Sequence, residues 1–148
     1  MEIHGTAHHI LGGKTGPVWT TTPQATVFEA LKIMGEKNIG ALVVLDGDRV
    51  AGVLSERDYS RKIVLQGRTS RDTLVGDILT KAVTIAPDET ISKCFQLMTT
   101  HRIRHLPVLD GQTLVGLISM GDLVKWVMES QQQTIQQLQG YISGSYPG

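Results

Sequence analysis

The sequence predicts an α/β (α+β) protein made of two pseudo-symmetric β-α-β-β-α copies packed as one unit. Three observations predict it. First, the chain repeats itself without a gap: adding 64 carries Pro23 onto Pro87, Thr26 onto Thr90, Met34 onto Met98 and Ile39 onto Ile103. A fixed internal period of this length marks a duplicated supersecondary unit. Second, an Asp-Gly pair (Asp46-Gly47, Asp110-Gly111) separates two β-rich runs in each copy, and Gly tolerates the positive φ that tight hairpin turns need. Third, each second run ends in Gly-x-x-Ser-x-x-Asp, at Gly52–Asp58 and Gly116–Asp122. Copies this small bury too little apolar surface alone, so the two are expected to pack together.

Residues 1–16 form a leader with His4, His8, His9 and Gly12-Gly13-Lys14, in which Ile10 and Leu11 are expected to dock as one helical turn. The histidines lack the framed spacing and supporting hydrogen bonds of a metal site, so no metal is expected. The first copy takes residues 17–66. Val18–Thr22 is a short β-type run that Pro23 ends. Thr26 is a good N-cap, and Val27, Ala30, Leu31 and Met34 follow at helical spacing, with Gly35 and Asn38 marking the helix end. Ala41–Leu45 is nearly continuous in apolar residues, as expected of a strand buried on both faces. Val50–Leu54 is its partner, and Ser55 opens a second helix through Tyr59, Ile63 and Val64.

Residues 67–74 are polar and turn-rich, and read as a linker. The second copy takes 75–130. Val75, Ile78 and Leu79 predict a short helix, and Ala82–Ala86 the next strand, which Pro87 ends. Arg104–Asp110 and Leu114–Ser119 are the hairpin strands. Met34 and Met98 fall at core spacing, and Cys94 lies on the apolar face of its helix, as packing rather than a nucleophile. Lys81, His101 and Arg102 are expected in solvent. Residues 131–148 extend the last helix through the Gln-rich run and end in a tail from Tyr141.

Composition excludes several classes. Fourteen Lys and Arg balance fourteen Asp and Glu. A neutral chain lacks the basic face of a general nucleic-acid binder, although a small basic pocket remains compatible with it. One cysteine rules out an internal disulfide. No apolar run approaches the ~18 residues that span a bilayer. The N-terminus has no charged-then-apolar signal pattern, so a cytoplasmic protein with no membrane partner is expected. No Gly-rich phosphate loop, no His–acid–nucleophile array and no paired carboxylates in one predicted cleft are present, so no enzyme is expected.

The chemistry gathers at the repeated strand-to-helix junction. Ser-x-x-acid before an apolar run is a helix N-cap pattern, and capping alone would explain it. The facing strand adds a second possibility: it begins with Arg104-His105 where the first copy has Gly40-Ala41. A helix N-terminus favours anions, Arg clamps phosphate with two donors, and a carboxylate suits the vicinal hydroxyls of a ribose. Ser, Asp and Arg at one junction therefore point to a nucleotide.

On these residues (GVLSERD and GLISMGD at the junctions, IRHLPVLD before the turn) the chain resembles a tandem cystathionine-β-synthase (CBS) domain pair, or Bateman module, over about Val18 to Val127. ERDYSRK followed by a C-terminal tail resembles stand-alone bacterial CBS-pair proteins and a plant organellar group. The resemblance implies a pseudo-two-fold pair with two clefts that take adenine nucleotide, AMP, ADP or ATP, and no catalytic cofactor. It implies one cleft with Asp122 and Ser119 toward ribose, Arg104 and His105 toward phosphate, and an adenine wall from Gly16, Val18, Ile39 and Ala41. It implies a second with Asp58, Ser55 and Arg57, walled by Thr80, Val83 and Ile103. Because Gly40-Ala41 carries no charge, that cleft is expected to draw phosphate-binding charge from Arg57 or from across the interface, with Arg61 and Lys62 as further candidates. Ser stands at both junctions where Thr is common in the family. The implied function is regulation of a protein partner that the sequence does not name. An NAD(H) redox sensor and a ligand-free interaction protein are the alternatives. A homodimer is expected from the apolar faces of Asp58–Leu65 and Asp122–Met128, with Trp126 and Val127 at the seam and Ile135 and Leu138 adding to it.

Overall fold

The structure, a computed structural model, describes residues 3–14 and 16–142, the last two as backbone only. It opens with helix α1 (Ala7–Gly12), then strand β1 (Thr20–Thr21) and helix α2 (Val27–Lys37). Strands β2 (Ala41–Asp46) and β3 (Arg49–Ser55) form the first hairpin. A single α-turn, α3 (Glu56–Asp58), runs on into a π-helical turn at Tyr59–Val64. A 3₁₀ turn (Val75–Asp77) and β4 (Thr80–Lys81) lead to α4 (Ile91–His101), the second hairpin β5 (His105–Asp110) and β6 (Thr113–Ser119), and the long α5 (Met120–Ile142).

The two copies share one local logic. The Thr26 hydroxyl accepts the Glu29 N–H at 3.1 Å, and Thr90 accepts that of Lys93 at 3.1 Å; each cap satisfies an N–H that the helix leaves free. Both helices end on a left-handed residue, Asn38 and Arg102, each with φ 54°. Both hairpin loops place a glycine at positive φ first, Gly47 at 62° and Gly111 at 63°, as a tight two-residue turn requires. The registers repeat down to the bulge: Ala41 opposes Ser55 and His105 opposes Ser119, with shifts after Val44 and Val108. Each copy has its own apolar core, one around Val27, Met34, Leu42 and Leu54, the other around Ile91, Met98, Leu106 and Ile118.

Strand content is smaller than expected. The first sheet has four strands in the order β1-β2-β3-β4 and the second has two. Only Thr20 and Thr21 of the Val18–Thr22 run pair with β2. In place of the expected strand Ala82–Ala86, Ile85 alone bridges to Val108 in parallel, the same contact as Thr21 to Val44. The pairing falls instead on Thr80–Lys81, which extends β3 antiparallel. Pro87 and the crossing to the first sheet leave the segment too short to ladder with both hairpins.

The segments outside the 64-residue period complete the copies crosswise. α1 packs Ala7 and Ile10 into the second copy's core, where Ala7 N–H donates to Glu89 O at 2.8 Å and Ile91 N–H to Gly5 O at 3.1 Å. Residues 73–79 do the same for the first copy: Val75 N–H donates to Ala25 O at 2.8 Å, Val27 N–H to Thr73 O at 2.8 Å, and Val75 and Ile78 join its core. The offset here is 68, carrying Ile10-Leu11 onto Ile78-Leu79. The stretch between Leu11 and Pro23 is four residues longer than that between Leu79 and Pro87, and it holds Lys14. Cys94 is fully buried, and burial pushes its thiol up to about 11. The last helix continues through the Gln-rich run as expected and on to Ile142, so Tyr141 and Ile142, expected in the tail, are helical; residues 143–148 lie outside the described residues.

Candidate functional site

Both Ser-x-x-Asp junctions form helix caps, and both also face a cavity. At the first, the Asp58 Oδ2 accepts from the Ser55 N–H at 2.9 Å and from its hydroxyl at 3.1 Å, while the Asp58 N–H donates to Ser55 Oγ at 3.2 Å. This reciprocal pair satisfies two donors at the helix start. The other oxygen, Oδ1, accepts from Thr80 Oγ1 at 2.8 Å and sits 3.0 Å from Lys62 Nζ. Lys62 also donates to Ile78 O at 2.8 Å. Asp58 is 7% exposed, the one charged group buried among the described residues, and these donors offset its desolvation.

At the second junction, Asp122 Oδ2 accepts from the Ser119 N–H at 2.8 Å, and the Asp122 N–H donates to Ser119 Oγ at 3.0 Å. The cation differs in origin. Lys14, from the leader, lies 2.8 Å from Asp122 Oδ2 and donates to Leu117 O at 2.7 Å. Burial alone would raise the Asp122 carboxyl, but the Lys14 and Ser119 hydrogen bonds outweigh it and hold it below the ordinary carboxylate range. Position 126, where the period places the counterpart of Lys62, is Trp126. Its ring stacks on His9 at 5.9 Å and its Nε1–H donates to His4 O at 2.9 Å, so the leader covers a residue expected at a dimer seam.

Two cavities lie between the copies. One, of about 510 Å³, contains Ser55, Arg57, Asp58, Arg61 and Lys62 from the first copy, with Thr80, Val83 and Ile103 opposite. Arg104 and His105 also open into it. The other, of about 410 Å³, contains Gly16, Val18, Ile39 and Ala41, with His105 and Ser119 opposite and Lys14 across its edge in front of Asp122. Both volumes lie in the range of small-ligand sites.

Apart from Arg104 and Asp122, every expected residue lines its cavity; Asp122 stands behind Lys14, which lines the second. The resemblance puts Arg104 toward phosphate in the Asp122 cleft, but the structure places it in the Asp58 cavity. Arg104, the last residue before β5, turns to the Asp58 side alone, because successive residues of extended backbone point to opposite faces. His105 lies between the two and lines both. Burial pushes its imidazole below the ordinary value; Asp122 works against this and Lys14 with it, and Asp58 and Arg104 add opposed effects.

Three residues at these cavities went unread in the sequence. Lys81 and Arg102, expected in solvent, are exposed but line the Asp58 cavity. Lys14 had one available signal, the repeated Ile-Leu at 10–11 and 78–79, which shows that the extra residues fall where the leader enters the second copy.

Comparison with known proteins agrees with this architecture. The CBS domain family is matched over residues 14–65 and again over 75–129. The chain is 43% identical over 135 residues to the mitochondrial CBS domain-containing protein CBSX3 of Arabidopsis thaliana, covering 87% of this chain and 65% of that protein, so the match spans just under two thirds of the relative's length. It is 34% identical over 109 residues to the CBS domain-containing protein YhcV of Bacillus subtilis, covering 74% and 78%. A solved structure of a protein with CBS domains from Burkholderia ambifaria superposes with a TM-score of 0.81 at 50% identity, covering 86% of this chain and 96% of that one. No helix among the described residues is long and apolar enough to cross a membrane. With the duplicated hairpins, the two junction carboxylates and these matches together, the chain belongs to the CBS domain family and carries two CBS domains paired as a Bateman module.

Proposed function

We propose that this CBS pair is a binding module, not an enzyme, that takes an adenine nucleotide between its two domains and reports that ligand to a protein partner. The observation that carries the proposal is the junction itself. In the first copy the capped Asp58 lines a cavity with Arg57, Arg61 and Lys62 beside it, and in the second the capped Asp122 stands behind Lys14, which lines the other cavity. A carboxylate fixed by its own helix start accepts from the 2′ and 3′ hydroxyls of a ribose, and the Arg side chains of the Asp58 cavity donate to phosphate oxygens. The choice of adenine rests on the resemblance to CBS pairs. A dinucleotide such as NAD(H) is the second reading, favoured by one feature: Gly40 and His105 line both cavities, so the cavities adjoin and a ligand with two nucleoside halves would place one in each.

Thermal melting of the full chain with AMP, ADP, ATP, NAD and NADH tests the proposal, because a ligand that prefers the native state raises its stability. A shift with at least one adenine ligand is expected, larger for wild type than for Asp58→Asn or Asp122→Asn. No shift with any of the five would leave the interaction-protein alternative. We further infer a homodimer through α5, whose exposed Val124, Met128, Ile135 and Leu138 fall along one helical stripe. Light scattering at tens of micromolar reads the mass directly, and a monomer there would reject the dimer.

A further inference from the structure

The two cavities differ in charge more than a duplicated fold requires. We propose that the Asp58 cavity is a nucleoside di- or triphosphate site whose polyphosphate is held by cations from both CBS domains; this rests on the adenine-nucleotide reading above. Arg57, Arg61 and Lys62 reach the cavity from the first junction, Lys81 from β4, and Arg102 and Arg104 from the turn between α4 and β5. Only Glu56 and Asp58 face them as carboxylates. These are six of the chain's 14 Lys and Arg, in a chain with no net charge.

Lys62 is engaged by Asp58. Among the described residues the other five side chains make no ion pair or hydrogen bond. Six cations against two carboxylates around a cavity focus a positive potential into it, and four of the six are Arg, whose planar fork matches phosphate oxygens in pairs. A monophosphate engages two or three of them and leaves the others facing each other; two or three phosphates engage the set.

Arg102 adds an independent sign. It caps α4 at φ 54°, a conformation that disfavours a long side chain and suits Asn, the residue that occupies the matching position 38. Unfavourable backbone kept in a ligand cavity is characteristic of binding sites. The Asp122 cavity is the internal control. Its two lysines are already engaged, Lys14 by Asp122 and Lys37 over the Trp19 ring at 4.5 Å, and Asn38 and Gly40 stand where the other cavity has Arg102 and Arg104.

Calorimetric titration of the full chain with ATP, ADP, AMP and inorganic tripolyphosphate, at low and moderate salt, tests this, repeated on Arg61→Gln/Arg102→Asn and on Arg102→Asn alone, a residue the left-handed cap accepts. We expect affinity to rise about tenfold or more from AMP to ATP, with a steeper salt dependence for ATP. The double variant should lose about tenfold for ATP and less than about threefold for AMP. AMP binding as tightly as ATP, or ATP affinity unchanged in both variants, overturns the polyphosphate site while the adenine-nucleotide reading stands. Tripolyphosphate binding as tightly as ATP overturns the nucleoside part. No binding by any adenine ligand defeats both.

Discussion

Gly52 and Gly116 occupy the same position in the two copies, yet alanine should affect them very differently. Neither has a positive φ, so the substitution is decided by space alone. At Gly52 a Cβ would stand 2.4 Å from the Thr80 carbonyl oxygen and 2.7 Å from Leu79 Cδ1. Ordinary contact begins near 3.4 Å, so β4 must retreat by about 1 Å. That movement breaks the two-residue pairing of β3 with β4 and carries the Thr80 hydroxyl away from Asp58 Oδ1, now at 2.8 Å. Overpacking of this kind costs about 1–3 kcal/mol, and each lost hydrogen bond about 1 kcal/mol; alanine's smaller unfolded-state entropy returns about 0.4–1 kcal/mol. The expected net loss is about 2–4 kcal/mol. At Gly116 the Cβ would meet Leu11 Cδ2 at 2.3 Å, but Leu11 is the end of a half-buried side chain that can rotate aside. Its cost should stay below about 1.5 kcal/mol. For a chain of this size 1 kcal/mol moves the melting temperature by about 2–4 °C, so Gly52→Ala should melt about 4–16 °C lower, and Gly116→Ala less than about 6 °C lower. Urea midpoints with unchanged m-values provide the second measure. Equal losses in the two variants, or the larger loss at Gly116, would refute the backbone-against-side-chain distinction.

Three further predictions follow from the charges and the core. His105 stays neutral in the native state to lower pH than an unfolded His, whose value is about 6.5. The unfolded chain therefore binds more protons in that window, and stability should fall as pH drops through it; in His105→Gln the slope of urea midpoint against pH between about 7 and 5.5 should flatten, and parallel slopes would refute the assignment. Asp122 has a depressed native value, so its contribution is present above about 3.9 and is lost as pH falls through the folded value. Lys14→Ala should thus cost about 0.5–1 kcal/mol at neutral pH, discounted because Lys14 is largely exposed, and close to nothing near pH 2; a cost that does not vary with pH would show that Lys14 acts by packing. Finally, Cys94, with its thiol buried and held at about 11, should react with a thiol reagent at pH 7 only at the rate of unfolding, and fast labelling of the folded chain would contradict its burial.

Short-range chemistry made much of this molecule legible from the sequence. The 64-residue period, the Thr26 and Thr90 caps, the Asp-Gly hairpins and the Ser-x-x-Asp junctions are all set by backbone sterics and hydrogen bonds within a few residues, and such signals survive translation from sequence to structure. Periodicity likewise placed Met34, Met98 and Cys94 inside. Tertiary packing decided the rest. Whether Arg104 enters one cavity or the other depends on which face of β5 meets the opposite copy, a relation between residues more than forty positions apart. The approach of Lys14 to Asp122 spans 108 positions and depends on the leader docking on the far copy, an arrangement with an offset of 68 that the ungapped period conceals. The same duplicated sequence yields one cavity ringed by cations of which, among the described residues, only Lys62 is paired and another with a lysine across its edge, because pseudo-symmetry brings each junction against the other copy, and the two copies differ at the residues that meet there.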